Sequence, residues 1–167
     1  FRAIGDGVDA LQREITTRAK PGVPYERLHN ESHELLADVI RRAGLSRATA
    51  QELVDSGATR KLLPHGLGHS LGIQTHDVGC RNMQPEARNP LLRNTVTGSE
   101  EQVFTIEPQM NVPEHNFGIR LEDVILITGN GYENLSGFVP VEIADIEKLM
   151  KQPGLSDAAL KAPPVKK

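Results

Sequence analysis

Apolar residues recur at helical spacing through the first forty positions. Ile4, Val8, Leu11 and Ile15 follow one another at intervals of four, three and four, one face of an amphipathic helix over residues 2–20. Arg13, Glu14, Arg18 and Lys20 lie mostly off that stripe and read as its solvated face. Asp6 and Asp9 stand near its N-terminal end, where the helix dipole favours acidic groups. Lys20-Pro21-Gly22-Val23-Pro24 is a turn. A second helix over residues 25–42 buries Leu28, Leu35, Leu36, Val39 and Ile40 and ends at Gly44 as its cap. His29 and His33 lie i,i+4 on this helix, a spacing that permits a shared metal. With no carboxylate motif beside them, they read instead as surface or boundary histidines. Residues 46–60 read as one short helix, capped by Ser46 and anchored by Leu53 and Val54.

The second half changes period. Val103-Phe104-Thr105-Ile106 is a β-rich run that stops at Glu107-Pro108, because proline cannot extend a ladder. Residues 118–127 read as one longer, largely buried strand, followed by a Gly129-Asn130-Gly131 hairpin turn into Tyr132–Leu135. Residues 141–150 close the pattern as a short helix. The proline- and lysine-bearing tail, taken as residues 151–167, reads as disordered. Helices first and strands after give an α+β class, with one domain over residues 1–150. Residues 80–100 form a long polar connection, of a length that is often functional and that reads equally as a solvated excursion.

Between the two halves lies His65-Gly66-Leu67-Gly68-His69-Ser70-Leu71-Gly72-Ile73-Gln74-Thr75-His76-Asp77-Val78-Gly79, which holds three of the six histidines. Each glycine disfavours a helix by about 1 kcal/mol relative to alanine, so the stretch reads as extended or looped backbone. Imidazoles on such a scaffold point to a site rather than a core. The bulk numbers narrow its chemistry. A net charge of -3 leaves no basic footprint for nucleic acid. No apolar run reaches membrane-spanning length, and no secretory signal is present, so neither nucleic acid nor membrane is an expected partner. One cysteine, Cys80, excludes an internal disulfide and points to a reducing, cytoplasmic setting.

Two carboxylates sit where burial would penalise them. Glu107 ends an apolar strand, and Glu122 lies inside an otherwise apolar one, beside Arg120 and Asp123. An ion pair with Arg120 is one account of Glu122; an exposed strand end is one account of Glu107. Taken with His69, the two make a ligand set of one imidazole and two carboxylates, suited to Mn²⁺, Co²⁺, Zn²⁺ or Fe²⁺.

The ordered blocks His65-Gly66-Leu67-Gly68-His69, His76-Asp77-Val78-Gly79, Thr105-Ile106-Glu107-Pro108 and Gly118-Ile119-Arg120-Leu121-Glu122-Asp123 resemble the motif series of the Xaa-Pro peptidases. These are the prolidases and aminopeptidase P, built on the pita-bread (creatinase/aminopeptidase) fold, an antiparallel curved sheet flanked by helices. The resemblance runs over roughly residues 1 to 138. It implies hydrolysis of the peptide bond before proline, with a peptide carrying proline in second position as the partner. It also implies two divalent metal ions, manganese foremost, with a metal-bridged hydroxide as nucleophile and the ions about 3.5–4 Å apart. His69, Glu107 and Glu122 match metal ligands, Glu122 bridging the ions. His65 and His76 match residues lining the substrate pocket: His65 on the proline side, His76 near the scissile bond in proton transfer. Arg120 matches an arginine that holds the bridging glutamate. Family enzymes are commonly homo-oligomers.

The resemblance is incomplete. The family's two aspartate ligands come from a hairpin that precedes the first long helix, and Asp6 and Asp9 do not replace them. The chain therefore resembles the C-terminal part of a catalytic domain, three of five ligands present, and by itself is expected to bind a metal pair weakly or not at all. Gln109 stands where the family usually has glycine, and the stretch from Gln109 to Phe117 is short. Two readings stay open: a metallopeptidase in part, or a non-catalytic pita-bread module that binds peptides or partners. Dipeptidase and aminopeptidase specificity also stay open.

Overall fold

The computed structural model describes residues 1–77 and 102–154. The helical stripe becomes α1 (Arg2–Thr17), which buries Ile4, Val8, Leu11 and Ile15. It packs along α2 (Tyr25–Arg42), whose buried face carries Leu28, Leu36, Val39 and Ile40. His29 and His33 belong to that buried face, each 3% exposed, which corrects their reading as surface residues. Their rings meet edge to face, 4.7 Å apart.

The single helix expected over residues 46–60 is two: α3 (Ala50–Asp55) and α4 (Ala58–Leu62). Gly57 separates them at φ 72, a left-handed conformation that continues neither helix. The cap is Thr49 rather than Ser46. Its side chain accepts from the Glu52 backbone, and Glu52 reaches back to the Thr49 N–H, a complete capping box.

The strands form two small antiparallel sheets. One has the order β1 (Val103–Ile106), β4 (Asp123–Thr128), β5 (Gly131–Asn134). The other pairs β2 (Gln109–Val112) with β3 (Phe117–Arg120), joined through a 3₁₀ turn at Pro113–His115 and Asn116 in the left-handed region. The long strand expected over 118–127 is thus broken into β3 and β4, and the short stretch after Gln109 contains a strand that its composition did not announce. The break is matched on the neighbouring chain. The first sheet pairs Ile106 with Asp123, and the second pairs Gln109 with Arg120. Glu107-Pro108 and Leu121-Glu122 are therefore paired crossing points between the sheets, tied by the Leu121 N–H to the Pro108 carbonyl at 3.3 Å. Helix α5 (Ile143–Leu149) follows, inside the range expected for it.

The glycine–histidine stretch lies along the free edge of β1. Backbone N–H groups of Leu71, Thr105 and Glu107 donate to the carbonyls of Val103, His69 and Leu67, and Ser70 pairs with Phe104. This is the extended backbone expected of it. The core, including Leu63, Leu67, Phe104, Ile106, Met110, Ile125 and Ile127, fills the space between the helices and these strands. Cys80, Val78-Gly79, the connection over 80–100 and the tail from residue 155 lie outside the described residues. Among the described residues, no helix is long and apolar enough to cross a membrane.

Candidate metal centre

Glu107 and Glu122 face each other because both occupy crossing points between the two sheets. His69 joins them because its segment is hydrogen-bonded to β1. One ligand atom from each of His69, Glu107 and Glu122 lies within 4.8 Å of the others. His69 and Glu107 are buried, while Glu122 is exposed. Glu122 lies between strands rather than inside one, a correction that goes with its exposure and with a carboxylate near His69 and Glu107.

The local bonds leave donor lone pairs facing inward. The Nδ1 of His69 is 2.9 Å from the Ser70 carbonyl. A carbonyl only accepts, so Nδ1 carries hydrogen, and Nε2 is the nitrogen free to offer a lone pair to a metal. That Nε2 stands 3.4 Å from Glu107 Oε1. An imidazole lone pair aimed at a carboxylate oxygen has no attraction without a cation or proton between them. The donor set, two of its three residues buried and borderline in hardness as a whole, fits a divalent transition metal.

Glu107 is held from two sides. The Thr105 hydroxyl donates to its Oε1 at 3.0 Å and itself accepts from the His69 N–H at 3.0 Å. Arg120 approaches Oε2 at 3.5 Å. The arginine therefore meets Glu107, not Glu122, and neither the sequence-level ion pair nor the expected clamp on Glu122 is the contact formed. Thr105 was missed by sequence reasoning. Its signal was the i,i+2 spacing to Glu107, which puts both side chains on one face of the strand.

His65, Gly66, Gly68, His69, His76, Glu107 and Arg120 line a cleft of about 230 Å³. His76 packs edge to face on His69, ring centroids 4.2 Å apart. Three further residues support the cleft from behind. Tyr25 donates its hydroxyl to the Thr105 carbonyl at 2.7 Å, and Gln12 its amide to the Ile106 carbonyl at 3.1 Å. His29 accepts from the Leu67 N–H through Nδ1 at 3.2 Å. Burial, then the neighbouring His33, Arg60 and His65, hold His29 down from 6.5 to about 3. Burial and Arg60 hold His33 down to about 4.

Residues 1–129 match the model of metallopeptidase family M24. The chain belongs to this family. It is 34% identical over 161 residues to an Xaa-Pro dipeptidase of Marinobacter nauticus, covering 81% of this chain and 38% of that relative. A probable Xaa-Pro aminopeptidase of Coccidioides posadasii is 31% identical over 178 residues, covering 90% of this chain and 38% of the relative. Among solved structures, proline aminopeptidase P II from Yersinia pestis superposes with a TM-score of 0.76 at 29% identity, covering 89% of this chain and 34% of that one. Aminopeptidase P from E. coli with the inhibitor Pro-Leu gives 0.75 at 30% identity, with the same coverage. The fold is thus the α+β pita-bread fold of an M24 metallopeptidase, and this chain spans 38% of the length of the Marinobacter and Coccidioides relatives.

Proposed function

We propose that the protein containing this chain hydrolyses the peptide bond before proline in Xaa-Pro dipeptides or short Xaa-Pro peptides. The observation that carries this reading is the convergence of His69, Glu107 and Glu122 to within 4.8 Å, beside a cleft lined by His65, His69, His76, Glu107 and Arg120. His69, Glu107 and Glu122 would hold two divalent ions, manganese foremost with cobalt, zinc or iron as alternatives. Any further ligands would lie outside this cluster. When bound, such ions supply an activated water and polarise the scissile carbonyl.

The chain's own groups then do the rest. His76, packed on His69, delivers a proton to the proline nitrogen as it leaves, a secondary amine that needs protonation to depart. His65 shapes the side of the cleft that receives proline. Arg120 and Thr105 hold Glu107 in its ligating orientation, as outer-shell partners do. The names of the relatives support the substrate class: both Xaa-Pro dipeptidases and Xaa-Pro aminopeptidases are among them. A zinc-substituted aminopeptidase P among the structural relatives supports the ligand class.

The test is metal content and Mn²⁺-dependent hydrolysis of an Xaa-Pro dipeptide and a longer Xaa-Pro peptide by the full-length protein, wild type against Glu122→Gln. Wild type binds metal and cleaves; Glu122→Gln keeps the fold and loses activity, because an anionic ligand is removed. Wild-type turnover by Glu122→Gln overturns the assignment. The preferred substrate separates dipeptidase from aminopeptidase.

A further inference from the structure

We propose that Gln109 is a positioning residue for His65, an inference that rests on the peptidase reading of the cleft. Both ring nitrogens of His65 are engaged. Nδ1 is 2.7 Å from the Gly66 carbonyl, and Nε2 is 2.9 Å from the side-chain oxygen of Gln109. The Gly66 carbonyl only accepts, so Nδ1 carries hydrogen. Nε2 is left to Gln109. A carboxamide has a donor end and an acceptor end, and turning it exchanges them. Gln109 therefore pairs with Nε2 whether that nitrogen bears hydrogen or a lone pair. An imidazole bound at both nitrogens cannot swing, so the wall it forms in the cleft keeps its shape.

The placement of Gln109 follows from the sheet. It opens β2, and its register partner on β3 is Arg120. One cross-strand pair thus carries two grips on the cleft: Gln109 on the His65 ring, Arg120 on the Glu107 carboxylate. Cross-strand neighbours stand side by side, so a short hairpin can set both. Gln109 is half-buried, and the lining of the cleft includes His65 but not Gln109. Its effect on substrate passes through the ring it holds. A residue without a side chain at this position would leave Nε2 without this partner.

The experiment compares wild type with Gln109→Met in the full-length protein. Methionine keeps the length and removes the hydrogen bond. Two readouts are taken: the Nε2 resonance of His65 in ¹⁵N-histidine-labelled protein, and KM and kcat for an Xaa-Pro dipeptide. In Gln109→Met, the Nε2 resonance moves to that of an unpaired nitrogen while Nδ1 stays. KM rises about five- to tenfold, the weight of one hydrogen bond, while kcat changes less. Metal content is unchanged. An unmoved Nε2 resonance, or an unchanged KM with a moved resonance, overturns the proposal. So does a wild-type spectrum in which Nε2 is already unpaired, a measurement that needs no variant to fold. If wild type cleaves no Xaa-Pro substrate, the proposed function falls, and the Nε2 resonance still decides whether Gln109 holds His65.

Discussion

Replacing Gly68 by alanine tests how the histidine segment is seated. Gly68 is not among the positive-φ glycines, so its backbone tolerates a side chain and the constraint is space. A Cβ there would run into the Thr105 carbonyl and the Tyr25 hydroxyl, two groups already hydrogen-bonded to each other at 2.7 Å. Neither can retreat, because one is strand backbone and the other closes a core contact with Phe104. The segment must lift from β1. It then loosens the two ladder bonds that flank Gly68: Thr105 N–H to the His69 carbonyl at 2.8 Å, and Glu107 N–H to the Leu67 carbonyl at 2.7 Å. Overpacking contributes about 1–3 kcal/mol and each lost bond about 1 kcal/mol, so destabilisation of roughly 3–5 kcal/mol is expected. The same shift carries His69 away from Glu107, so metal affinity falls as well. Equilibrium urea unfolding and metal titration read both effects. Gly131→Ala, with nothing within 4 Å of its added Cβ, is the control and should be near neutral. If Gly68→Ala unfolds at the same urea midpoint as that control, the close approach of segment and strand is not what seats the site.

Two further outcomes follow from the same geometry. His76→Ala should lower turnover far more than metal content, since His76 is assigned to proton transfer; a parallel loss of bound metal would make it a ligand instead. Stability should fall in acid through His29 and His33, both kept neutral by burial. Their stabilisation is whole above pH 6.5, where both imidazoles are neutral in the unfolded chain as well; it falls as the unfolded imidazoles take up protons below that, until the folded ones titrate at about 4 for His33 and about 3 for His29. By pH 4.5 each group has lost about two pH units of this linkage, roughly 5 kcal/mol for the pair. Urea unfolding at pH 7.5 and pH 4.5 should show it, and a His29→Gln, His33→Gln variant should show less; equal acid sensitivity would refute the assignment.

Helices α1 and α2 were legible because a single buried face leaves a periodic trace along the chain. The clustering of the candidates was open to reading for a different reason: a carboxylate at the end of an apolar strand is costly there unless it is paired or metal-bound. The failures share a cause. His29 and His33 are polar, and the sequence does not show that a backbone N–H from residue 67 meets one of them. The break between β3 and β4 is silent locally, because Leu121-Glu122 carries neither glycine nor proline. It follows from the Glu107-Pro108 crossing on the strand beside it.

By itself the sequence determined the class of the fold, the order of helices and strands, and the residue types able to bind a metal. These are local properties, set by period, by backbone freedom and by the solvation of side chains. Tertiary structure decided which of those residues meet. It put Arg120 on Glu107 rather than Glu122, set Gln109 against His65, and brought His69 near two glutamates distant from it in sequence. Pairings of that kind depend on strand register and on where two sheets cross, and register is a relation between segments that neither segment encodes alone.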